Sequence, residues 1–331
     1  MNIAVIGLGL IGGSALLALA EAHHDVIGYD ADPPTREAAL AASGTAPRDA
    51  RWRVAHSVAE AVGRADLVLL AVPLPAVGPI LDLLTDAGYS GLVSDTTSVK
   101  QPVRHLARRR LAPGETAFVG GHPMTGRELS GFAAADPNLF TGCCWVLCLD
   151  PETPLDQWFT LAETVIGLGA RIVPATSAEH DRAVAVVSHV PHLVATAIAA
   201  SAGLDPLALS LAAGSFRDGT RVAATRPDLV AAMCGGNSDA VRHALDEVCG
   251  CLAKARAALD GPDPVTELVP WLARGQRVRA RWQLPASDQS PPAVTLPGTP
   301  EALLALGRAG GWVTRVAADR RSVTAVRPDP A

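Results

Sequence analysis

Short runs of apolar, often β-branched residues alternate with helical patterns through the first half of the chain. The runs start at Ile3, Asp25, Asp66, Gly91, Thr116, Cys143 and Ala170. Between the first runs lie GGSALLALAEA and PPTREAALAAS, and the two prolines of the second stretch suit the first turn of a helix. Strands that alternate with helices predict βαβ units and a parallel sheet. We therefore expect an α/β fold with a doubly wound Rossmann-type sheet over residues 1–173.

The pattern becomes helical after Pro174. From Ser177 to about Arg281 apolar residues recur at helical spacing, which predicts a separate all-α domain over residues 174–283. A stretch rich in proline and serine, QLPASDQSPPAVTLPG, follows as a linker, and the chain ends with one predicted helix and a hairpin. This small α/β extension, residues 284–331, is too short to fold alone. We expect it to pack on the body of the protein or on a second subunit.

One apolar helix, from Asp181 to Ala200, contains an irregular segment. Its interior carries Ser188, His189, Pro191 and His192. A proline inside a helix removes one backbone hydrogen bond and costs about 3 kcal/mol. We expect Pro191 to free the carbonyl of Val187 and to bend the helix near a cleft.

The polar residues of this helix predict a shared face. At about 100° per residue, Asp181, Ser188 and His192 lie within about 20° of one line along the helix, and His189 points about 80° away. Burial of such groups without partners is costly, so they either satisfy one another or face a polar cavity. Alternatively, His192 belongs to the first turn of a new helix that begins after Pro191.

Composition excludes several classes of function. The chain has 331 residues, 49% of them hydrophobic, and a net charge of −5. The length predicts two or three domains, and no basic field suggests nucleic acid or a membrane as partner. The basic run Arg108–Arg110 is typical of a solvated helix end, the alternative being a phosphate patch. The apolar N-terminus lacks the basic start of a signal peptide.

The cysteines predict free thiols rather than a metal site. None of the six cysteines forms a CxxC pair, and no histidine cluster completes a zinc site. We therefore expect no metal, and reduced thiols in a cytoplasmic protein.

A glycine motif predicts a dinucleotide site. Gly7, Gly9 and Gly12 form G-x-G-x-x-G directly after a strand and at the start of a helix. The first glycine permits the tight turn, the second lets a pyrophosphate approach the backbone, and the third lets helix and strand pack closely. The alternative is a glycine-rich turn without a ligand.

Asp30 favours NAD over NADP. It ends the second strand, where a carboxylate accepts the ribose hydroxyls of NAD and repels the 2′-phosphate of NADP. Arg36 is near enough to keep NADP as the less favoured alternative. Ligands bind at the carboxyl ends of strands, so the later strand ends should also line the cleft. The predicted cofactor-binding residues are Gly7, Gly9, Leu10, Ile11, Gly12, Asp30, Val72, Pro73, Asp95 and Thr96.

His122 is the candidate base. It directly follows a strand, between Gly121 and Pro123, and imidazole is the natural proton acceptor for an alcohol that is being oxidised. The alternative is a loop histidine with a local capping role. Further along, the segment GSFRDGTRVAATRP offers three candidate carboxylate clamps, which a solvated helix face would explain as well: Arg217, Arg221 and Arg226.

Five motifs, in this order, resemble the prephenate dehydrogenase family, which includes arogenate-using relatives. They are GLGLIGGS, SDTTSVK, GGHPMTG, HDRAVAVVSHVPH and SFRDGTRVA, within a similarity from about Asn2 to Arg281. The resemblance implies a Rossmann domain, a helical domain that forms a homodimer, and an active site between them. The activity it implies is NAD-dependent oxidative decarboxylation of prephenate to 4-hydroxyphenylpyruvate, in tyrosine biosynthesis.

The resemblance also implies residue roles. His122 accepts the proton of the ring 4-hydroxyl as hydride leaves C4, and Ser98 hydrogen-bonds near that hydroxyl. The predicted substrate-binding residues are Ser188, His192, Arg221, Asp181, Arg217 and Thr125. Arg221 matches the family's carboxylate-binding arginine, but Arg217 is close enough to leave the choice between them open. Arg127 departs from the residue that relatives often carry.

Other functions remain to be distinguished. Prephenate carries a ketone where arogenate carries an amine. The sequence does not show which of these two groups the site binds. A β-hydroxyacid or imine oxidoreductase of the same architecture is disfavoured, because the long helix offers His192 and no lysine. A non-catalytic NAD-binding sensor or scaffold predicts that His122 can be replaced without loss of function.

Overall fold

The computed structural model describes residues 1–127, 129–282 and 292–327, which form two compact units. Unit 1 consists of Met1–Asp181, Thr225–Asn237 and the described residues from Ala293 on. Unit 2 consists of Arg182–Ala224 and the described residues of Ser238–Pro292. Unit 1 thus takes in the C-terminal extension and one short stretch of the helical region.

The first sheet of unit 1 is parallel throughout and has the strand order β3-β2-β1-β4-β5-β6. Its strands are β1 (Asn2–Ile6), β2 (Asp25–Tyr29), β3 (Arg53–Val54), β4 (Leu67–Leu70), β5 (Leu92–Asp95) and β6 (Ala117–Val119). Its helices are α1 (Leu10–Glu21), α2 (Pro33–Thr45), α3 (Val58–Val62), α4 (Leu74–Asp86) and α5 (Gln101–Arg110). This order is that of the doubly wound dinucleotide-binding fold, so the predicted fold class is confirmed.

Apolar cores cover both faces of this sheet. Ile3 and Val5 pack into one cluster, whereas Ala4 and Ile6 pack into the other. Successive side chains of a strand point to opposite faces, so an unbroken apolar run serves both cores. This is why the strand runs of the first half lack a polar alternation.

A second sheet of unit 1 was not predicted. It has the order β10-β12-β11-β9-β8-β7, and only the β8–β9 pair is parallel. Its strands are β7 (Gly121–Pro123), β8 (Cys144–Cys148), β9 (Arg171–Ala175), β10 (Ala293–Pro297), β11 (Trp312–Val316) and β12 (Ser322–Val326), with helices α6 (Leu155–Gly167) and α14 (Pro300–Arg308). The strands predicted at Cys143 and Ala170 therefore exist but do not extend the Rossmann sheet. The chain passes from one sheet to the other at Gly120, between β6 and β7.

The C-terminal extension completes this second sheet. One helix followed by an antiparallel hairpin is present, as predicted, and β11 pairs with β9 through Val313 and Ile172. A Cβ at Gly307 of α14 would collide with the carbonyl oxygen of Pro174, which shows how closely this helix packs on β9. Strand β10 occupies the end of the stretch predicted as linker, and the rest of that linker, residues 283–291, lies outside the described residues.

The helical region has the predicted all-α character. Its helices are α7 (Ser177–Val184), α8 (Val190–Ala202), α9 (Pro206–Ser210), α10 (Gly214–Thr220), α11 (Pro227–Gly236), α12 (Ser238–Leu259) and α13 (Pro264–Trp282). Helix α11 belongs to unit 1, and the boundary between the units falls within α7. The other five helices belong to unit 2.

The irregular segment of the long helix is a π-helical turn, Ala185–His189, between α7 and α8. The N–H of Val190 donates to the carbonyl of Ala185, five residues back, and Pro191 follows directly. A π-turn rotates less per residue than an α-helix, so the uniform 100° spacing used to align Asp181 with Ser188 does not apply here. The bend predicted at Pro191 stays a prediction.

Candidate dinucleotide and catalytic site

The glycine motif after β1 has two glycines that the protein's own backbone requires. Gly7 has a φ of +95°, and a Cβ there would collide with the carbonyl oxygen of Ala71. A Cβ at Gly12 would collide with the carbonyl oxygen of Gly7. These contacts are the tight turn and the close helix–strand packing expected of the first and third glycines.

Gly9 differs from its neighbours in the motif. No heavy atom of the protein lies within 4 Å of a Cβ built at Gly9. It is the N-cap of α1 and provides no side-chain cap, so the backbone N–H groups of Leu10 and Ile11 begin the helix at its positive end. Open space above a helix N-terminus fits the pyrophosphate of a dinucleotide.

Asp30 is held beside this motif. Its carboxylate accepts hydrogen bonds from the backbone N–H of Leu8 at 2.7 Å and of Asp32 at 2.9 Å. Arg36 donates through Nη1 to the carbonyl oxygens of Asp30 at 2.7 Å and Ala31 at 3.1 Å. Arg36, the cation that supported NADP as the alternative, is therefore already hydrogen-bonded to main-chain carbonyl groups. This geometry favours NAD, whose ribose hydroxyls suit a fixed carboxylate.

The ends of β4 and β5 supply the other predicted cofactor residues. Val72 lies against Gly7, with Cγ1 2.9 Å from a Cβ built there, and Pro73 is the N-cap of α4. The half-buried Thr96 donates its N–H to the carbonyl of Leu70 at 2.9 Å. Val72, Pro73 and Thr96 thus follow the carboxyl ends of neighbouring strands.

Asp95 was predicted as a cofactor-binding residue, and that assignment stays a prediction; its side chain is buried. Asp95 is 0% exposed and accepts hydrogen bonds from the N–H and hydroxyl of Thr97 and from the N–H of Gly121. It also forms an ion pair with Lys100. The carboxylate is turned into the protein, where it ties the loop after β5 to the start of β7.

Lys100 was not singled out in the sequence. Its ammonium is buried between the carboxylate of Asp95 and the carbonyl oxygen of Gly121, 2.5 Å away. Buried lysines require such compensation, because an unpaired charge in the interior is very unfavourable. The signal available was a lysine at the end of SDTTSVK, directly before a helix, but nothing in the sequence indicates its burial.

His122 lies on β7 and contacts a second histidine. Its Nδ1 is 2.8 Å from Nε2 of His180, and Nδ1 of His180 is 2.8 Å from Oδ1 of Asp181. His180 and Asp181 are each 2% exposed, whereas His122 is half-buried. Burial lowers the pKa of His180, and this effect outweighs that of the hydrogen bond to Asp181, which raises the pKa. His180 is therefore neutral at neutral pH.

Asp181 was predicted as a substrate-binding residue, and that role stays a prediction; its side chain is buried. Its two carboxylate oxygens accept the backbone N–H groups of Lys100 at 2.7 Å and Gln101 at 2.8 Å. The carboxylate thus lies at the start of α5, where the helix dipole favours negative charge. His180 itself was missed: the available signal was its place directly before the acid in HDRAVAVVSH, but helical spacing turned it away from the predicted stripe.

The other predicted residues of unit 1 lie in loops. Ser98 is half-buried in the loop between β5 and α5. Thr125 follows β7 and donates to the carbonyl of Leu139 at 3.4 Å. Arg127 forms an ion pair with Asp136 at 2.6 Å.

Unit 2 contains Ser188, His192, Arg217 and Arg221. Nδ1 of His192 is 3.1 Å from the carbonyl oxygen of Val222, so that nitrogen donates and Nε2 carries the lone pair. This contact brings His192 of α8 to the short turn that contains Arg221. Arg217 is 3.4 Å from Asp218, and both side chains are more than three-quarters exposed, so this pair contributes little.

Two family descriptions together match most of the chain. The family description "Prephenate dehydrogenase, nucleotide-binding domain" matches residues 16–174, and "Prephenate dehydrogenase, dimerization domain" matches residues 176–274. The prephenate dehydrogenase of Bacillus subtilis is 34% identical over 270 residues, which cover 79% of this chain and 71% of that protein.

The chain belongs to the prephenate dehydrogenase family.

Solved structures of the prephenate dehydrogenase family have the same fold. Prephenate dehydrogenase of Aquifex aeolicus, in complex with hydroxyphenyl propionate and NAD+, is 25% identical with a TM-score of 0.77, over 86% of this chain and 98% of that chain. Arogenate dehydrogenase of Synechocystis is 28% identical with a TM-score of 0.73, over 85% of this chain and 100% of that chain. The family predicted from the five motifs is confirmed. The nucleotide-binding match begins at residue 16, after the glycine motif, so the case for Gly7, Gly9 and Gly12 depends on their geometry.

Proposed function

We propose that the protein catalyses the NAD-dependent oxidative decarboxylation of prephenate to 4-hydroxyphenylpyruvate. The ring 4-hydroxyl loses its proton to His122 while C4 loses a hydride, and the C4–O bond becomes a carbonyl. The bond to the ring carboxylate then breaks, CO2 leaves, and its electron pair completes the aromatic ring. The new phenolate oxygen takes the proton back from His122. Aromatisation makes the overall reaction strongly favourable.

The observation that carries this proposal is the position of His122. The N–H of Gly121, its neighbour on β7, donates at 3.2 Å to Asp95, which ends β5 of the Rossmann sheet. A proton acceptor is thereby held at the carboxyl edge of the sheet, where ligands of this fold bind. An imidazole is the side chain that most often serves as a general base in enzymes.

The cofactor of the proposed reaction is NAD. When bound, NAD+ accepts the hydride that leaves C4. The residues that would hold it are those of the glycine motif, with Gly9 and the N–H groups of Leu10 and Ile11 at the pyrophosphate and Asp30 at a ribose. Gly9 is the position at which the protein itself imposes no steric need for glycine, which is what a ligand-imposed glycine looks like.

Replacing Gly9 by Ala should therefore weaken NAD binding without loss of stability. The added methyl group has open space in the protein but occupies the approach of the pyrophosphate, so we expect the Kd for NAD to rise roughly tenfold or more, about 1.4 kcal/mol. Isothermal titration calorimetry measures this Kd, and thermal unfolding measures stability. Gly44→Ala is a matched control, because a Cβ at Gly44 of α2 also meets no atom within 4 Å. Equal affinities of the two variants would contradict the assignment.

The substrate contacts predicted for Ser188, His192, Thr125 and the two arginines stay predictions. The ordered imidazole of His192 beside the turn of Arg221 supports a carboxylate or carbonyl site there, because an arginine and a hydrogen-bonding ring suit such oxygens. Arg226 has a partner in Asp228, with hydrogen bonds of 3.1 and 2.5 Å. This leaves Arg217 and Arg221 as candidate clamps.

Arogenate is the alternative substrate, since the structural neighbour from Synechocystis is an arogenate dehydrogenase. The deciding experiment supplies the purified protein with each substrate and each of NAD and NADP, and measures reduced cofactor and CO2. We expect NADH and CO2 in equal amounts from prephenate. Product from arogenate alone would assign the alternative, and no product from either would refute the proposed function.

The described residues of unit 2 expose many large apolar side chains, among them Val187 at 68%, Leu204 at 88% and Trp282 at 77%. Exposed apolar surface on this scale is typical of an interface, and the dimerization-domain match covers the same helices. We propose that a second copy of the chain covers it.

Sedimentation equilibrium should accordingly give twice the mass of the chain. Replacing Leu272, which is 56% exposed on α13, by Asp should shift the mass toward that of one chain, because a buried unpaired charge opposes association. Leu83→Asp, at a side chain 46% exposed on α4 of unit 1, is the matched control. A wild-type protein with the mass of one chain at micromolar concentration would contradict the homodimer.

Two further predictions also stay open. The cytoplasmic location is supported by the six cysteines, none of which forms a disulfide in the described part of the chain. The absence of nucleic-acid and membrane partners is supported by the net charge of −5.

A further inference from the structure

Three side chains of unit 1 form a continuous hydrogen-bonded chain that ends at His122. Asp181 and His180 are neighbours in sequence at the end of the unit, and their side chains are 2.8 Å apart. The far nitrogen of His180 is 2.8 Å from Nδ1 of His122. The buried carboxylate is thus connected to the proposed base through a second imidazole.

The direction of each hydrogen bond follows from the acid end of this chain. Asp181 receives two backbone N–H groups from the start of α5, so its oxygens act as acceptors. Nδ1 of His180 must then carry a hydrogen. Because burial keeps His180 neutral, its Nε2 has a lone pair and accepts from Nδ1 of His122. A neutral His122 with a hydrogen on Nδ1 has its lone pair on Nε2.

We propose that His180 and Asp181 are positioning residues that fix the tautomer and orientation of His122. The inference deepens the proposed function, on which it rests. In this arrangement Nε2 of His122 is the basic atom toward the substrate, and the ring is held in one plane by the bond at Nδ1. His180 and Asp181 touch neither substrate nor cofactor and act through His122.

The charged groups around His180 and His122 favour a positive charge on His122, which forms when His122 accepts a proton. The charged groups that act on His180 are Asp181 on its own helix, Lys100 before α5 and Asp95 after β5, while the ring of His122 faces it from β7. Lys100 is matched by Asp95 in a buried ion pair. Within residues 1–127, 129–282 and 292–327 no lysine or arginine side chain forms an ion pair with Asp181, so an imidazolium formed at His122 is stabilised by this carboxylate through His180.

A substitution at Asp181 should release the tautomer. Asp181→Leu keeps the volume of the side chain and removes the acceptor that holds the hydrogen of His180 on Nδ1. His180 can then carry its hydrogen on Nε2 and donate to His122, whose own hydrogen moves to Nε2, where it can no longer accept a proton. We expect kcat/KM for prephenate to fall roughly 10²- to 10⁴-fold. The NAD affinity should be unchanged, because the carboxylate of Asp181 bonds to Lys100, Gln101 and His180, none of which belongs to the glycine motif.

His180→Gln is the second variant, and it leaves the cap on α5 intact. The amide can still accept from His122, but the connection to Asp181 is lost. We expect a fall in kcat of about 10- to 100-fold, as for one charge-assisted hydrogen bond. The acid limb of the kcat/KM pH profile should move to lower pH, because the imidazolium of His122 loses its stabilisation. His105→Gln, at an exposed histidine of α5, is the matched control and should leave both quantities unchanged.

Nitrogen NMR of ¹⁵N-histidine-labelled protein tests the tautomer without any turnover. The His122 signals are identified by their loss in His122→Asn. We expect a protonated Nδ1 and an unprotonated Nε2 in the wild type, and loss of this single tautomer in Asp181→Leu. A wild-type His122 with its hydrogen on Nε2 would overturn the inference, as would a His180→Gln variant with the wild-type pH profile. If neither prephenate nor arogenate is converted, the proposed function fails, but the NMR result still decides the inference.

Discussion

Replacing His122 by Asn should lower the turnover of prephenate roughly 10²-fold or more, the effect expected on loss of a general base. The side-chain amide of asparagine reaches the position of Nδ1 and can still donate to His180, 2.8 Å from that atom in the wild type. The variant therefore keeps the internal hydrogen bond and loses only the basic nitrogen. Steady-state production of NADH measures kcat and KM.

This prediction separates an enzyme from a binding protein. We expect the Kd for NAD and the thermal stability of His122→Asn to match those of the wild type, so that the loss appears in kcat. His105→Gln serves as the control for replacement of a histidine at an exposed position of the same unit. Turnover of His122→Asn close to the wild-type rate would reject the mechanism and would favour a role in which the histidine only caps its loop.

The Rossmann sheet could be predicted because its signals are local. Four of its strands, such as that from Ile3, are apolar runs followed by a helical pattern, and a buried parallel strand can be recognised from its apolar run alone. Strand β3, Arg53–Val54, is only two residues long and has no such pattern. The second sheet depends on pairing between residues as distant as Ile172 and Val313, which no window of sequence shows.

The candidate site could likewise be predicted only in part from the sequence. His122 and the glycine motif are marked by their places at strand ends, which a sequence reveals. The roles of Asp95 and Asp181 depend on which way each carboxylate turns, and both turn inward toward backbone N–H groups. His180 was missed because helical spacing was the only guide to its direction, and a contact with β7 is set by tertiary structure. Residue type suggests which chemistry a group can perform, but the partner of each group is visible only in three dimensions.

The buried ion pair of Lys100 and Asp95 makes the site's scaffold sensitive to a single substitution. Both side chains are fully buried, and the ammonium also bonds to the carbonyl oxygen of Gly121, next to the proposed base. Lys100→Met retains the length of the side chain but leaves the carboxylate without its cation. We expect the free energy of unfolding to fall by about 3–5 kcal/mol, the usual effect of breaking a buried pair at one partner. The shift in the urea midpoint of the unit 1 transition measures it.

Two comparisons show whether the lost cation, rather than the lost packing, causes this destabilisation. Arg53→Met breaks the pair with Asp25, whose side chains are 57% and 59% exposed, and should cost less than about 1 kcal/mol. Adding Asp95→Asn to Lys100→Met removes the unpaired charge and retains one acceptor oxygen, which can serve the N–H group of either Thr97 or Gly121, so stability should partly recover. A Lys100→Met protein no less stable than Arg53→Met would show that Asp95 is neutral or solvated. In that case the hydrogen bonds from the N–H groups of Thr97 and Gly121 alone hold β7 in place. The Lys100–Asp95 contact would then not be an ion pair comparable with the charged carboxylate of Asp181.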